Sequence, residues 1–396
     1  MRILLLHNHY KSSSPSGEDI AFENEKELLE SNGYEVITYS RYNDTIESGP
    51  LKSAQAALSL FWSKQTYSDL DRLIKKTRPD IAHFHNTFPL ISSSGYSACQ
   101  NNGIPVVQTL HNYRLICPGA LLLRDGKPCE KCISGSLFNS VRYGCYRNSK
   151  PASALVAGML AINRTRKVYS QAVDRYICLT EFAKERFIRG GLPEEKLTVR
   201  ANALMNTPEI GSGNGNYALF VGRLSQEKGV GTLIKAWEDI GSLPLKIVGK
   251  GPLNQTLKQQ ATESNINVEF LGFKARTEIF ELMRNATMLV IPSECYEGFP
   301  VTAMEAMACG TPMLVSKIGA LDEILKDPKQ CLKFTAGDSA DLRDKALTMI
   351  NNAAMLQNMR FENRKAFEEN YSTKNALSSI LEIYDNTINN YGKPAQ

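Results

Sequence analysis

The chain has 396 residues, of which 42% are hydrophobic and 22% are charged. This length is about two to three times that of an ordinary domain and predicts two domains, and the composition excludes a disordered, collagen-like or coiled-coil chain. The net charge of +5 is localised, because residues 111–150 alone contain seven Lys and Arg against two Asp and Glu.

The N-terminal segment predicts a buried strand and no signal peptide. The four apolar residues from Ile3 to Leu6 are too few for the apolar core of a signal peptide. The longest apolar-rich stretch, 152–162, is far shorter than the roughly 20 residues that a membrane-spanning helix needs. We therefore expect a cytoplasmic chain, whose nine cysteines are thiols or metal ligands and not a disulfide framework.

The first half alternates short apolar strands with helical patterns, which predicts a parallel sheet covered by helices on both faces. The predicted strands are 2–7, 34–39, 80–85, 105–110, 175–179 and 197–201, and the helical patterns include 17–31, 51–77 and 181–189. We expect one Rossmann-like domain over residues 1–205, with a Cys-rich insert at about 112–150.

A cluster of Gly, Ser, Asn and Pro at residues 206–216 reads as a linker, after which the alternation restarts. The second set of predicted strands is 217–222, 243–249, 268–272, 288–292 and 312–316, with helices at about 230–240, 252–264, 276–285 and 300–309. The fold class is therefore α/β, with two doubly wound domains and a ligand cleft between them. The second domain is predicted over 206–372. The segment 373–396 contains an amphipathic helix at about 374–390, for which packing back on the first domain is one arrangement.

Two charged motifs follow predicted strands of the second domain. Gly222 ends a strand, and Arg223 and Lys228 occupy the loop before a helix, which is a pattern suited to phosphate oxygens. Glu297 follows the strand 288–292, and Glu305 lies inside an otherwise apolar helix, where it needs a hydrogen-bonding partner such as ribose hydroxyls. The alternative is that these charges are solvated surface groups.

Three motifs in this order carry a family resemblance: Gly-Arg-x-x-x-x-Lys-Gly at 222–229, Gly-x-Gly-Pro at 249–252, and Glu-Gly-x-Pro with a later Glu at 297–305. They resemble the retaining nucleotide-sugar glycosyltransferases of family 4, which have the GT-B fold of two Rossmann-like domains. Ser16-Gly17-Glu18 is similar to the family's N-terminal glycine loop. Thr109-Leu-His111-Asn is similar to its Thr-x-His-Asp segment, with Asn in place of Asp.

The resemblance implies a role for each matching residue. Arg223 and Lys228 would hold the donor diphosphate, Glu305 the ribose and Glu297 the donor sugar, while His111 would lie against the sugar ring. The donor-site residues implied in this way are Gly17, Gly222, Arg223, Lys228, Phe273, Gly298, Phe299 and Glu305, and the catalytic residues are His111, Arg223, Lys228 and Glu297.

The resemblance also implies the partners: a nucleoside-diphosphate sugar as donor and a glycan or lipid-linked acceptor in cell-surface polysaccharide synthesis, such as lipopolysaccharide or capsule. A nucleotide-sugar epimerase or phosphorylase on the same scaffold is the alternative, because a fold does not fix a reaction. A zinc-containing nucleic-acid-binding protein is a weaker alternative, since the basic charge is confined to one segment, and we expect no nucleic-acid partner.

The sequence predicts no catalytic metal, because no Asp-x-Asp motif stands at a strand end and Asp69-Leu-Asp71 lies in a helical pattern. Retention of configuration leaves two routes, a double displacement or a same-face attack through a short-lived oxocarbenium ion. We favour the second, because two glycosidase carboxylates would have to stand about 5–5.5 Å apart, and Glu305 is assigned to the ribose.

All five histidines, at positions 7, 9, 83, 85 and 111, fall at the ends of the first, third and fourth predicted strands. Strand ends of this kind line a ligand site, so we expect acceptor-side groups there, with His111 ranked first and His85 second. The alternative for any one of them is a structural, hydrogen-bonded histidine.

Four cysteines, Cys117, Cys129, Cys132 and Cys145, have the spacing C-x11-C-x2-C-x12-C within the basic segment. A Cys-x-x-Cys knuckle with one outer cysteine on each side suits a tetrahedral structural zinc ion, and reduced cysteines are the alternative.

The apolar residues 152–162 precede Arg164, Arg166 and Lys167, a pattern suited to an interfacial helix on anionic lipid at the inner face of the membrane. A core helix with a solvated basic end is the alternative.

Overall fold

The computed structural model describes residues 1–10, 16–45 and 58–393, and the chain divides into two compact units. The first unit comprises Met1–Leu121, Glu130–Met205 and Thr373–Gln396, and the second comprises Leu122–Cys129 and Asn206–Ser372. The C-terminal helix therefore belongs to the first unit, and a short hairpin from the Cys-rich segment belongs to the second.

The regular elements alternate along the described residues. The strands, in chain order, are β1 Arg2–His9, β2 Glu35–Tyr42, β3 Ile81–Phe84, β4 Val106–Leu110, β5 Leu123–Arg124, β6 Lys127–Pro128, β7 Arg175–Cys178, β8 Leu197–Val199, β9 Ala218–Val221, β10 Leu245–Val248, β11 Val268–Gly272, β12 Met288–Ile291, β13 Met313–Ser316 and β14 Cys331–Phe334. The helices are Gly17–Ser31, Lys64–Thr77, Ser94–Asn101, Phe138–Tyr143, Lys150–Thr165, Val168–Gln171, Glu181–Arg189, Val230–Trp237, Asn254–Glu263, Arg276–Asn285, Val301–Cys309, Gly319–Ile324, Ser339–Ile350, Ala353–Asn370 and Thr373–Asn390.

The first unit is built on a parallel sheet with the strand order β2-β1-β3-β4-β7-β8. Ile3 pairs with Val36 on one side and Ile81 on the other, and β1 is buried from Ile3 through Asn8. An uninterrupted apolar run is what a strand needs when helices cover both faces of the sheet. Ile380 and Tyr384 of the C-terminal helix complete this core.

The second unit has the strand order β11-β10-β9-β12-β13-β14, again parallel throughout. The strand order reverses between β9 and β12 here, and between β1 and β3 in the first sheet. In open α/β sheets, ligands bind outside the carboxyl ends of the strands at such a reversal. Each unit therefore has one edge at which functional side chains are expected.

The predicted α/β fold is confirmed, and several elements differ locally from the prediction. β14 was not predicted, because it is a short edge strand whose middle residues are only partly buried. The predicted helix 51–77 is interrupted: residues 51–57 lie outside the described part, and a helix starts at Lys64, where the Ser63 hydroxyl accepts a hydrogen bond from the Thr66 amide. β1 extends two residues beyond its predicted end to include His9.

None of the helices in the described residues combines the length and apolar character needed to cross a lipid bilayer.

Candidate functional site

Two glycine-rich loops of the second unit pack against each other at the ends of β9 and β10. The Gly222 amide donates to the Val248 carbonyl at 3.0 Å, and the Leu224 amide donates to the Lys250 carbonyl at 3.1 Å. Gly249 has a φ of +139°, and a Cβ at this position would overlap the Gly222 carbonyl oxygen, so a larger residue cannot occupy it. The exposed Arg223 side chain projects from this pair of loops, and no described residue forms an ion pair with it.

Gly229 brings the loop after β9 against the loop after β12. It follows a short 3₁₀ turn, Gln226–Lys228, and has a φ of +65°. A Cβ on Gly229 would overlap the carbonyl oxygen of Pro292, so only glycine permits this close approach. The preceding residue, Lys228, is thereby placed at the reversal of strand order.

Lys228 and Glu297 form an ion pair at this edge. The Lys228 Nζ donates to Glu297 Oε1 at 2.6 Å, and the buried Ser293 hydroxyl donates to the same oxygen at 2.6 Å. Burial raises the pKa of Glu297, but the attraction of Lys228 and the two hydrogen bonds outweigh it, so its pKa lies below the ordinary value. Burial lowers the pKa of Lys228, and the attraction of Glu297 raises it to above its ordinary value. Both groups are therefore charged at neutral pH.

Glu305 is a second carboxyl group in this unit and has the opposite character. It is buried inside the helix Val301–Cys309, and the Arg276 Nε lies 3.4 Å from its Oε1. Burial raises its pKa to about 7, against the opposing effect of Arg276. The carboxyl group is thus partly protonated at neutral pH and can both donate and accept hydrogen bonds.

The remaining residues predicted for the donor site differ in accessibility. Phe273 follows β11 and is 63% exposed, whereas Phe299 is buried and its ring packs edge-on against Tyr371, with centroids 6.0 Å apart. Gly298 lies between Glu297 and Phe299 and is partly buried. Their predicted contacts with a nucleotide sugar stay predictions.

Sequence reasoning missed three polar residues of this edge, namely Ser293, Glu294 and Arg276. Glu294 Oε1 accepts a hydrogen bond from the Thr232 hydroxyl at 2.6 Å, and the Glu294 amide donates to the Glu227 carbonyl at 2.9 Å. Ser293 and Glu294 stand between β12 and Glu297 in the sequence. That position, directly after a buried strand, was the available signal.

In the first unit, the loop after β1 leads into the helix that starts at Gly17. Ser16 caps this helix, and its amide and hydroxyl donate to Asp19 Oδ2 at 2.7 and 3.0 Å. Asp19 Oδ1 lies 2.8 Å from His7 Nε2 and 3.4 Å from His9 Nδ1. Gly17 itself is exposed at the start of the helix, and its predicted approach to a ligand stays a prediction.

Glu18 is turned inward from the same helix. The Asn112 side-chain amide donates from Nδ2 to Glu18 Oε1 at 2.6 Å. Burial raises the pKa of Glu18 to about 7, against the effects of Asn112 and Arg114. The negative charge of Glu18, together with burial, raises the pKa of the neighbouring Tyr10 hydroxyl. Glu18, whose pKa is about 7, therefore contacts Asn112, the residue that follows His111.

All five histidines of the chain form one cluster of ring contacts. The centroid separations are 4.5 Å for His7–His9, 6.2 Å for His7–His85, 4.5 Å for His83–His85 and 5.2 Å for His85–His111. Burial lowers the pKa of His111 to about 3 and that of His85 to well below its ordinary value. His85 and His111 are therefore neutral at physiological pH, and His85 Nδ1 lies 3.0 Å from His111 Nε2.

A buried ion pair between Glu25 and Arg200 lies next to this cluster. Arg200 Nη1 donates to Glu25 Oε2 at 2.6 Å, and the same guanidinium donates from Nη2 to the Ala376 carbonyl at 3.1 Å. His83 Nδ1 lies 2.7 Å from the Tyr384 hydroxyl, and its Nε2 lies 2.8 Å from the Thr109 hydroxyl. Sequence reasoning missed Glu25 and Arg200, which are far apart in the chain and have no motif of their own.

Two groups of described residues hold three potential metal-ligand atoms within 4.8 Å of one another: His7, His9 and Asp19, and Glu25, His83 and His85. Both are explained by interactions already present. Asp19 accepts hydrogen bonds from the His7 ring and from the backbone amides of Ser16 and Tyr10. Glu25 forms an ion pair with Arg200.

The four cysteines predicted to bind zinc are not among these groups. Cys117 and Cys132 are buried and Cys145 is partly buried, all in the first unit, whereas Cys129 belongs to the second. A Cβ on Gly119 would lie 3.7 Å from Cys117 Sγ and 3.6 Å from Cys145 Cβ, so these two cysteines flank one turn. The zinc site stays a prediction.

Two family models match the chain, one in each half. The model described as Glycosyltransferase Family 4 matches residues 24–204, and the model described as Glycosyl transferases group 1 matches residues 207–368. Together they cover most of the chain and meet where the two units divide.

Individual proteins give the same picture. An uncharacterized glycosyltransferase of Methanocaldococcus jannaschii is 32% identical over 54% of this chain and 59% of that protein, and a second from the same organism is matched over 48% of its length. The chain thus spans about half of these relatives. An uncharacterized 42.6 kDa protein in the cps region of Klebsiella pneumoniae is 24% identical over 79% of each protein.

Among solved structures, HepE from Anabaena in complex with UDP and glucose has a similar fold. The TM-score is 0.69 at 19% sequence identity, covering 97% of this chain and 99% of that chain.

Proposed function

Because the chain belongs to the family 4, group 1 glycosyltransferases with two Rossmann-like domains, we propose that it moves a sugar from a nucleoside-diphosphate sugar to a hydroxyl group. The acceptor would be a glycan or a lipid-linked sugar in cell-surface polysaccharide synthesis. The relative from a cps region supports that setting. The transfer would retain the configuration of the sugar.

The observation that carries the proposal is the charged edge of the second unit. Lys228 is fixed by Glu297 at the reversal of strand order, and the exposed Arg223 belongs to the adjacent glycine loop. A diphosphate leaving group gains negative charge as the glycosidic bond breaks, and fixed cations stabilise that charge most in the transition state. Two cations on loops whose glycines leave the backbone accessible are therefore suited to binding a diphosphate.

Glu305 would bind the ribose of the donor. A pair of neighbouring ribose hydroxyls presents both donors and acceptors, and a carboxyl group with a pKa of about 7 can match either. Phe273, exposed after β11, would lie near the base.

The state of Glu297 favours same-face attack over a double displacement. Its Oε1 already accepts hydrogen bonds from Lys228 and Ser293, and its pKa lies below the ordinary value, so it is a weak nucleophile. The donor phosphate would instead accept the proton of the attacking hydroxyl. Glu297 would orient the sugar, and His111 would contribute a hydrogen bond from the first unit.

The proposal is tested by adding UDP-, GDP- and ADP-sugars to the purified protein and measuring the thermal shift. The HepE structure contains UDP and glucose, so UDP-glucose is the first donor to try. A bound donor at 100 times its Kd should stabilise the folded state by about 2.7 kcal/mol. Lys228→Met should abolish the shift, while Lys258→Met, on an exposed helix position, should preserve it.

A shift that survives both Lys228→Met and Glu305→Gln would remove these residues from the donor site. Product analysis then identifies the reaction. Transfer to an added hydroxyl acceptor supports the proposal, whereas free epimerised sugar or dependence on inorganic phosphate would indicate an epimerase or a phosphorylase.

We further propose that the helix Lys150–Thr165 contacts anionic lipid when the acceptor is lipid-linked. Leu155 and Ile162, seven residues apart and hence on one face, are 41% and 42% exposed, and Arg166 and Lys167 are exposed at its end. Arg164 does not join them, because its side chain is partly buried and donates to the Leu115 carbonyl at 3.2 Å.

Flotation with vesicles of phosphatidylglycerol and phosphatidylcholine tests this surface. The double variant Arg166→Gln/Lys167→Gln should float less than the unaltered protein, and the matched variant Lys326→Gln/Lys329→Gln in the second unit should float equally. Equal flotation of all three proteins would remove the contact.

We also propose a structural zinc ion on Cys117, Cys129, Cys132 and Cys145, supported by their spacing alone. Such an ion would brace the Cys-rich segment and would take no part in the transfer. Elemental analysis should find one zinc per chain in the purified protein, and it should be lost in a Cys129→Ser/Cys132→Ser variant. If the protein is purified in the presence of added zinc and elemental analysis still finds none bound, the proposed site would be contradicted.

A further inference from the structure

The cluster of histidines in the first unit contains a directional chain of contacts that ends at His111. It runs from Arg200 through Glu25 and His85, and each step has a preferred proton position. The positions of these protons decide which side of His111 is a donor and which is an acceptor.

The first step fixes the charge on Glu25. Burial raises the pKa of this carboxyl group, but the attraction of Arg200 and contacts with His83 lower it to well below its ordinary value. The Arg200 Nη1–Glu25 Oε2 hydrogen bond of 2.6 Å leaves Oε1 facing the histidines, where it lies 3.1 Å from His83 Nδ1. Glu25 therefore presents a full negative charge to the histidines.

The second step fixes the proton on His85. Glu25 Oε1 lies 3.8 Å from His85 Nε2, and Nε2 is a buried atom without a hydrogen-bond partner among the described residues. A lone pair on Nε2 would face the carboxylate and be repelled, whereas an N–H is attracted to it. Neutral His85 therefore carries its proton on Nε2, which leaves the lone pair on Nδ1.

The third step transmits this choice to His111. His85 Nδ1 lies 3.0 Å from His111 Nε2, the ring planes are inclined by only 22°, and the centroids are 5.2 Å apart. This is the geometry of an edge-to-edge hydrogen bond between nearly coplanar rings. Since His85 offers a lone pair, His111 must donate from Nε2, and as a neutral ring it then has a lone pair on Nδ1.

We propose that Glu25 and His85 are positioning residues that hold His111 in the tautomer protonated on Nε2, so that His111 offers Nδ1 only as a hydrogen-bond acceptor. His111 would then select a ligand group that donates, such as a sugar hydroxyl, and would reject a carbonyl or phosphate oxygen at that position. The identity of the ligand as a sugar rests on the proposed function, but the tautomer does not.

Nitrogen-15 NMR of the full chain, labelled only at histidine, reads the tautomer directly without any donor or acceptor. Loss of one set of signals in His111→Gln assigns the His111 ring. The unaltered protein should show His111 protonated at Nε2 and unprotonated at Nδ1. In His85→Phe, which keeps a ring but removes both nitrogens, and in Glu25→Gln, the two His111 nitrogens should move toward averaged values.

Thr109→Val is the matched control, because Thr109 contacts His83 Nε2 and is not on the path from Glu25 to His111. It should leave the His111 signals unchanged. If Glu25→Gln does not fold, His85→Phe decides. A proton on Nδ1 of His111 in the unaltered protein, or unchanged His111 signals in folded His85→Phe, would overturn the assignment.

Kinetics with the donor found in the thermal-shift screen add a second reading. The value of kcat/KM should fall about tenfold in His85→Phe, which corresponds to the loss of one well-oriented hydrogen bond. If no nucleotide sugar binds while the tautomer is as stated, the proposed function fails and this inference stands. If donors bind and are transferred while Nδ1 carries the proton, the inference fails alone.

Discussion

The carboxyl edges of the two sheets occupy equivalent places in the fold but carry different chemistry. At the first sheet, the charges of Glu25 and Arg200 are buried and paired with each other beside the neutral His85 and His111. At the second sheet, Lys228 is partly exposed and paired with Glu297, and Arg223 is exposed. The residues of a buried ion pair can interact only with neighbouring protein groups, whereas a residue of an accessible pair can replace its protein partner with a ligand. The same topology thus supports a buried charge pair in one unit and an accessible charge pair in the other.

The largest effect should come from breaking the buried pair. Arg200→Met leaves the Glu25 carboxylate unpaired in the interior, and removal of one partner of such a pair costs roughly 3–5 kcal/mol. Urea unfolding followed by fluorescence should show this loss in the transition of the first unit. A decrease of less than about 1 kcal/mol would mean that the pair is solvated.

Lys228→Met should show the reverse balance. The partly exposed pair contributes less to folding, so we expect a loss of about 1–2 kcal/mol in unfolding free energy. Donor turnover should fall by about 10²–10³ in kcat, which is typical for the removal of one transition-state donor. A variant that unfolds as easily as Arg200→Met while retaining activity would invert the comparison.

Glu305 allows a pH test of the second unit. Its pKa is about 7 in the folded protein and 4.5 in the reference state, so between these values the folded chain binds more protons than the unfolded chain. Stability contributed by this group therefore falls as pH rises from 4.5 to 7, by about 3 kcal/mol in total. Glu305→Gln should be more stable than the unaltered protein at about pH 8 and no more stable at about pH 4, measured by thermal unfolding. The exposed Glu263→Gln should show no such pH dependence.

The smallest effect concerns the orientation of Glu297. Ser293→Ala removes a hydrogen-bond donor to Glu297 Oε1, and one such bond is worth about 0.5–1.5 kcal/mol. The Kd for the donor should rise about three- to tenfold, with Lys228 still in place. Ser264→Ala removes an equally short hydrogen bond to Glu238 on the exposed surface and should leave the Kd unchanged.

The strands were predictable because a buried parallel strand is a local signal. Runs such as Ile3 to Leu6 need no knowledge of their neighbours, and the motif residues Arg223, Lys228, Glu297 and Glu305 stand directly after such runs or in the next helix. β14 has no comparable run, because only its two end residues are buried. The length of the helix before β3 was misjudged because a cap at Ser63 outweighs the continuing amphipathic pattern.

The partners of the site residues were not predictable in the same way. The Lys228–Glu297 contact depends on the close approach of Gly229 to Pro292, which joins loops far apart in the sequence. Arg200 and Glu25 are 175 residues apart, and neither lies in a motif. Non-local pairs of this kind are set by the topology of the finished sheet, so a local pattern carries no trace of them.

The C-terminal helix also bears on how the protein is made. Ile380 and Tyr384 complete a core whose other buried members lie on β1, the helix Gly17–Ser31, β3, β4 and β7. Roughly 170 residues are translated between the end of β8 and this helix, which takes about ten to thirty seconds at ribosomal speed. During that interval the nascent first unit lacks part of its hydrophobic core, and the apolar surface that this helix covers is exposed. A holding chaperone is therefore expected to engage it on the ribosome, and the histidine cluster reaches its final form only after this helix has been synthesised.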